Sequence, residues 1–293
     1  MTLGAIAAVT IASPDLDRSI DLYQRYLDYR LAHRGTLDGA LARSWGTSVL
    51  PGRAYAVLAP RGSADFRLRL VQSPAAPDYR PFRHFGWNAA EFLVQDVDAL
   101  AVRLQGSPFE LIGPPADLSF SDQIRAMQVL GPSGEALYLT QIKAKLPDFA
   151  TPTADARVDR VFITILGGRS VASLQDFYNA RFGVPRAPII DAVISVMSNA
   201  YGLPPQQKHQ LAALPLGEAC YIEADTMPAA AQERPVRAGE LPPAIAMVSF
   251  RCGKLPPLEY LGPPASVAEE PYAGKRSAVC RGSAGELIEL IES

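Results

Sequence analysis

Glu289 stands in the string GELIELIES, residues 285–293, with Leu287, Ile288, Leu290 and Ile291 around it. In an extended segment Leu287 and Ile291 share its face and Ile288 and Leu290 take the other, so neither face is an evident solvent side. A charge between two apolar faces stays only where it has a task or a partner. Desolvation favours the protonated form of a lone carboxylate, the condition for carrying a proton near neutral pH. Upstream, CYIEAD (220–225) puts Tyr221, Glu223 and Asp225 on one face of a strand and Cys220, Ile222 and Ala224 on the other. Two carboxylates and a phenol on one face make either a polar cavity or a solvated outer surface. With Glu289 as proton carrier and Tyr221 as hydrogen-bond donor, such a cavity suits isomerisation or elimination next to a carbonyl. Glu223 would then contact the substrate. His209, in GLPPQQKHQLAAL, precedes a strand and can reach the same cavity, and Asn199 lies in a loop-like stretch of the kind that carries specificity at a barrel mouth. His33 and His84 read as ordinary polar residues. Cys220, Cys252 and Cys280 are odd in number, widely spaced and without a CxxC pair, which points to packing rather than to a disulfide or a thiolate zinc site.

The elements that must position these residues come in repeats. SIDLYQRYLDYRL matches SLQDFYNARFGVP with Tyr23 facing Tyr178 at an offset of 155, and FRLRLVQSPAA matches CYIEADTMPAA with Pro74 facing Pro228 at an offset of 154. LIGPPADL matches YLGPPASV at 149, and GEALYLTQI matches GELIELIES at 151, with Tyr138 where the second copy has Glu289. Four anchors in one order indicate duplication. Within each half, AIAAVTIAS reads as a strand stopped by Pro14, and Asp15 or Asp17 can cap a helix carrying Leu16, Ile20, Tyr23 and Leu27. RAYAVLAP and FRLRLVQS alternate as strands, AAEFLVQ is a strand, and DVDALAVRLQ is a short helix behind an acidic cap. The expected architecture is α+β, four βαβββ units. The first three anchors leave one asymmetry: Phe92 and Gly113 enclose a helix, whereas Phe250 and Gly262 enclose only RCGKLPPLEYL, where Pro256 and Pro257 shorten any helix. That face of the sheet should therefore meet a second chain, as in a homodimer, or open to a cavity. The repeat also sets Arg67 and Arg69 against Tyr221 and Glu223, a reversal of charge that reads as complementary partners or, more plainly, as two different solvated faces.

The strings VTIASPDLDRSIDLYQRYLDY and FLVQDVDALAVRL, with the two GE closures, resemble the vicinal oxygen chelate superfamily of glyoxalase I, bleomycin-resistance proteins and extradiol dioxygenases. The resemblance implies two tandem curved-sheet domains, residues 1–145 and 157–293, joined by a linker at 146–156. As in extradiol dioxygenases, the first domain would be structural and the second would hold the ligand cavity. It also implies a divalent metal held by a His on the opening strand, a His or related ligand on the next opening strand and a Glu on the closing strand, acting as a Lewis acid on two adjacent substrate oxygens. The matching positions are Ala8, Ala89 or Asn88, and Tyr138 in the first half, and Phe162 or Ile163, Ala246 or Met247, and Glu289 in the second. Only Glu289 is a metal ligand, so no metal or other cofactor is expected. Phe162 and Met247 become contacts for a small-molecule ligand.

A 293-residue chain with 48% hydrophobic residues supports two cores of ordinary size. A net charge of -2 without a dense basic run gives no footprint for nucleic acid. The N-terminal stretch lacks a basic segment and a long apolar run, so a cytoplasmic protein without a membrane segment is expected. Three functions remain open at this level: a metal-free acid-base enzyme of small-molecule catabolism acting on an aromatic or carbonyl compound, a non-catalytic binder of the bleomycin-resistance type, and a metal-dependent ring-cleaving dioxygenase.

Overall fold

The computed structural model describes residues 3–63, 65–118, 121–145 and 150–293. The first unit runs β1 (Ile6–Ser13), α1 (Leu16–Leu27), β2 (Arg30–Thr36), α2 (Gly39–Ser44), β3 (Ala54–Ala59) and β4 (Arg67–Gln72). The second runs β5 (Gly86–Val94), α3 (Val97–Leu104), β6 (Glu110–Leu118), β7 (Ser121–Leu130) and β8 (Ala136–Ile142). The third runs β9 (Val158–Gly168), α4 (Val171–Phe182), β10 (Ile190–Val193), α5 (Ser195–Tyr201), β11 (Lys208–Pro215) and β12 (Tyr221–Thr226). The fourth has β13 (Ala244–Cys252), β14 (Ala265–Ser266), β15 (Arg276–Arg281) and β16 (Leu287–Glu292), with no helix. Local chemistry sets the helix starts: Asp15 caps α1 through the Arg18 N–H, Asp96 caps α3 through Ala99, and Ser170 caps α4 through Ser173. Of the expected linker, residues 146–149 lie outside the described residues. No helix among the described residues is long and apolar enough to cross a membrane.

Among the described residues sixteen strands form two curled eight-stranded sheets, in the order β14-β15-β16-β13-β1-β4-β3-β2 and β10-β11-β12-β9-β5-β8-β7-β6. Within a unit the opening and closing strands are parallel neighbours, as β1 is to β4 and β13 to β16. Between units the opening strands pair antiparallel: Val9 lies opposite Val248 and Ala90 opposite Thr164. The first sheet therefore joins the first and fourth units and the second sheet the second and third. Each of the segments 1–145 and 157–293 gives one unit to each sheet, so the concave face expected from the second half alone is shared with the first.

The main core contains Val9, Leu68, Val248 and Ile288 from the first sheet, Phe92, Leu139, Leu166 and Ile222 from the second, and the apolar stripes of α1, α3 and α4. Two smaller clusters line the opposite faces of the strands. One joins Val57, Val71, Met247, Leu287 and Ile291 to Leu41 and Trp45. The other joins Ala89, Ile163, Ile165 and Tyr221 to Phe82, Val196 and Met197. Helix α2 leaves one edge of the first sheet and packs on β14 and β15 at the other, and α5 crosses the second sheet to β6. Each short helix thus closes a half-barrel.

The fourth unit departs from expectation. Its sheet face is covered by its own chain, because Leu255, Leu258 and Tyr260 pack on the main core from the segment after β13. The two prolines prevent a helix, but an extended segment with apolar side chains covers the same strands.

The GE frame shared by the closing strands has a structural role that explains its recurrence. Tyr23 on α1 donates to Glu135 Oε1 at 2.8 Å, and Tyr178 on α4 donates to Glu286 Oε1 at 2.9 Å. The other oxygen of each glutamate accepts a backbone N–H two residues upstream, from Ser133 and from Ala284, both at 2.8 Å. Burial pushes each carboxyl up to about 7 from an ordinary value of 4.5. The folded state then holds protons that the unfolded chain has released between these values, so this contribution to stability is full below pH 4.5 and is lost as pH rises through about 7. The exposed Asp98–Arg125 pair acts in the opposite sense but is screened by solvent. Calorimetry should give a melting temperature roughly 5–10 °C higher at pH 5 than at pH 8, at about 2–4 °C per kcal/mol. A Tm that rises from pH 5 to pH 8 would contradict buried, proton-holding glutamates.

Candidate functional site

On the concave face of the first sheet the repeat register brings Thr10 of β1 beside Arg69 of β4, and Ser249 of β13 beside Glu289 of β16. Glu289 and Arg69 are both 0% exposed. Glu289 Oε2 accepts from Arg69 Nη2 at 2.8 Å and from Ser249 Oγ at 2.5 Å. Its Oε1 accepts from Trp45 Nε1 at 2.9 Å and from the Tyr272 hydroxyl at 2.7 Å. Arg69 also donates to Thr10 Oγ1 from Nε and Nη2, and from Nη1 to Tyr272. Its guanidinium lies 4.5 Å from the Trp45 ring centroid. Burial opposes the charge on Arg69, and the facing Glu289 outweighs it, so the guanidinium is held more firmly than usual. Glu289 does face the concave side with Leu287 and Ile291, as strand alternation requires. Four donors occupy its two oxygens, however, and a carboxylate so engaged is an anchor rather than an open acid-base group. The plainer reading of Arg67 and Arg69 fails at Arg69, which is a complementary partner and not part of a solvated face.

The second sheet presents a different set on its own concave face. Glu91 on β5 pairs in register with Tyr138 on β8 and with Ile163 on β9, and Ile163 pairs with Tyr221 on β12. One level along, Ala89 and Ile165 lead to Glu223, and Gly167 leads to Asp225. The CYIEAD strand therefore turns its acidic face into the half-barrel, while Cys220, Ile222 and Ala224 enter the main core. Asp225 and Glu91 are buried, and Glu223 and Tyr138 are half-buried. Among the described residues no salt bridge reaches Glu91, Glu223 or Asp225. Burial raises Glu91 to about 7; burial, then the Glu91 charge, raises Glu223 to about 8. Asp225 is pushed well above its ordinary value by burial and then by Glu223.

A cavity of about 570 Å³ lies beside this face, lined among others by Phe82, Arg83, Ile112, Leu130, Val196 and Asn199. Phe82 stands between the two, with its ring 6.4 Å from that of Tyr138. Its backbone sits in the left-handed region at φ 59, a conformation that a bulky residue holds only where its surroundings fix it. Arg83 is turned aside, donating to the Ala200 carbonyl at 2.7 Å and lying over the Tyr201 ring.

The residues singled out in the sequence divide between the two faces. Tyr221, Glu223 and Phe162 meet at the second sheet, Asn199 lines the neighbouring cavity, and His209 bonds to Ser198 of α5 at 3.0 Å. Glu289 and Met247 belong to the first sheet. Tyr221 donates to the Ala150 carbonyl at 3.3 Å. Sequence reasoning missed Glu91. Its signal was available in the alternation of AAEFLVQ, where the charge shares a face with Ala89 in an otherwise apolar strand.

Neither face presents the metal-ligand set that the resemblance implies. In the first, Glu289 is already paired with a guanidinium whose charge opposes a second cation. In the second, the ligand positions implied by the resemblance are Ala89 or Asn88, Tyr138, and Phe162 or Ile163. Among the described residues no three His, Cys, Asp or Glu side chains are grouped to hold a metal ion.

Residues 5–137 match the family model of the Glyoxalase/Bleomycin resistance protein/Dioxygenase superfamily. Comparison with curated proteins gives no match. Among solved structures, glyoxalase I from Zea mays is similar at 14% identity and a TM-score of 0.65, over 98% of this chain and 92% of that one. A candidate dioxygenase from Bacillus subtilis is similar at 12% identity and a TM-score of 0.62, over 99% of this chain and 85% of that one. At these identities the likeness is one of fold. The family match is confined to residues 5–137, and the likeness to the solved structures shows that the chain carries the four-unit vicinal oxygen chelate fold from end to end.

Proposed function

We propose that the chain is a small-molecule enzyme working on the concave face of the second sheet, where Glu91 and Glu223 move a proton next to a carbonyl without a metal. The observation supporting this is the set of three carboxylates on one concave face with no cation paired to them among the described residues, two of them poised at about 7 and about 8. Once Glu91 ionises, its charge helps to keep the proton on Glu223, so near pH 7.5 the pair holds one base and one acid. Glu91 takes the proton from the carbon beside the carbonyl, and Glu223 gives its proton to the carbonyl oxygen, leaving a neutral enol. Return of the Glu91 proton at a different carbon of a conjugated enol, as Glu223 takes back the O–H proton, completes an isomerisation; departure of a β-substituent with the Glu91 proton, as Glu223 takes back the O–H proton, completes an elimination. Tyr138, whose phenol burial raises well above its ordinary value, stays protonated and can orient the carbonyl as a donor. In this reading Glu289 holds the first half-barrel together, and Tyr221 supports the second. Three free, buried cysteines fit a reducing cytoplasm.

The test is deuterium uptake from D2O, followed by proton NMR, across a panel of small aromatic and amino ketones. Uptake at the carbon beside the carbonyl of at least one compound, in catalytic excess over protein, is the expected outcome. Tight binding with no exchange in any compound would favour sequestration instead. The purified protein should carry well below one equivalent of iron, manganese or zinc through gel filtration; about one retained equivalent would restore the ring-cleaving reading.

A further inference from the structure

The two concave faces are related by the repeat, and one of them already contains its cation. By sequence offset and strand register, Glu289 corresponds to Tyr138, Arg69 to Glu223, Ala8 to Ile163 and Ser249 to Glu91. In the first face the guanidinium of Arg69 fills the concavity, bonded to Glu289, Thr10 and Tyr272 and lying against Trp45. The second face has acids where the first has Arg69 and Ser249, adds Asp225, and has no salt bridge to these acids among the described residues, the nearby Arg83 lying over the Tyr201 ring and donating to the Ala200 carbonyl. We infer that the second face binds a cationic nitrogen group of its ligand, an amine, amidine or guanidine, in the place that the Arg69 guanidinium takes in the first. This rests on the reading of the second face as the working site and names its substrate class.

Two buried acceptors point the same way without depending on charge. Asp225 Oδ1 and Asn88 Oδ1 have no hydrogen-bond partner among the described residues, and the two residues are 1% and 2% exposed. The Asn88 carboxamide lies over Gly167, the strand partner of Asp225: a Cβ added there would fall 2.1 Å from Asn88 Nδ2. Its Nδ2 meets Met227 Sδ at 3.4 Å, within the same concave cluster. Buried acceptors without donors are costly, and a ligand rich in N–H groups supplies donors to these two oxygens. Half-buried Glu223 and Tyr138 leave the face within reach of solvent. The titratable groups facing it are Glu91 from β5, Tyr138 from β8, Tyr221, Glu223 and Asp225 from β12, His209 from β11 and Tyr201 from α5, while β9 contributes Ile163 and Ile165.

The probe is benzamidine, a planar cation on an apolar ring, measured by titration calorimetry at pH 8 against neutral benzamide and anionic benzoate. Benzamidine should bind at least about tenfold more tightly than either. Glu223→Gln and, separately, Asp225→Asn should each weaken it by about tenfold or more while leaving the melting temperature unreduced, because each removes an acid from a cluster of like charges. Its affinity should fall by about tenfold from pH 8 to pH 6 as the carboxyls take up protons. Equal binding of benzamide, unchanged affinity in both folded variants, or no binding of benzamidine at millimolar concentration would overturn the inference. If benzamidine binds as described and no ketone exchanges deuterium, the acid-base reading fails and the cation-binding one stands. Exchange of neutral ketones without benzamidine binding would overturn the cation-binding reading and leave the acid-base one standing.

Discussion

Arg69→Met should destabilise the chain by about 3–5 kcal/mol, as breaking one side of a buried ion pair does. The substitution keeps most of the apolar stem but leaves Glu289 fully buried, with Trp45, Tyr272 and Ser249 as its remaining donors among the described residues. Glu289→Gln strands Arg69 in the same way and should cost stability rather than only turnover, the reverse of what a lone proton carrier in an open cavity would show. The pair Arg69→Met with Glu289→Leu removes both charges together and should recover most of the loss, since apolar replacements of buried ion pairs are often neutral or stabilising. Urea unfolding of the three variants measures this directly. A loss below about 1 kcal/mol for Arg69→Met would mean that water reaches the pair.

Glu91→Gln should lower turnover by about 10²–10⁴-fold and leave the fold intact or firmer. Gln keeps the size of the side chain but carries no proton near neutral pH, and it relieves Glu223 and Asp225 of a neighbouring charge. The pH profile has a definite sign. Activity rises with pH as Glu91 ionises near 7 and falls as Glu223 loses its proton near 8, giving a narrow bell. In Glu223→Gln the upper limb should disappear, whereas a profile flat from pH 6 to pH 9 would remove both glutamates from the chemistry.

Much of the fold was legible because duplication is visible in sequence. The facing of Tyr23 with Tyr178 and of Glu135 with Glu286 marks the same buried contact made twice. Which units share a sheet was not legible. The repeat says which segments are alike, but strand pairing between units is set by the antiparallel meeting of β1 with β13 and β5 with β9, which leaves no local signature. Helices α2 and α5 were missed because six and seven residues give too little apolar period to read. The site was half legible. Strand alternation put Tyr221, Glu223 and Asp225 on one face, but it could not tell a cavity from solvent without knowing that Ile222 faces the main core. Glu289 drew attention for a sound physical reason, an acid among apolar side chains. Its partner Arg69 lies 220 positions away in sequence, a distance at which pairing becomes visible only when the first and fourth units meet.

Carbon-13 NMR of glutamate-labelled protein follows each side-chain carboxyl through its titration and bears most directly on the second face as the working site. The expected spectra show resonances titrating near pH 7 and pH 8 that vanish in Glu91→Gln and Glu223→Gln respectively, with the Glu223 midpoint moving down when Glu91 is neutralised. Glu91 and Glu223 both titrating near 4.5, each unaffected by substitution of the other, would contradict a coupled acid-base pair on that face.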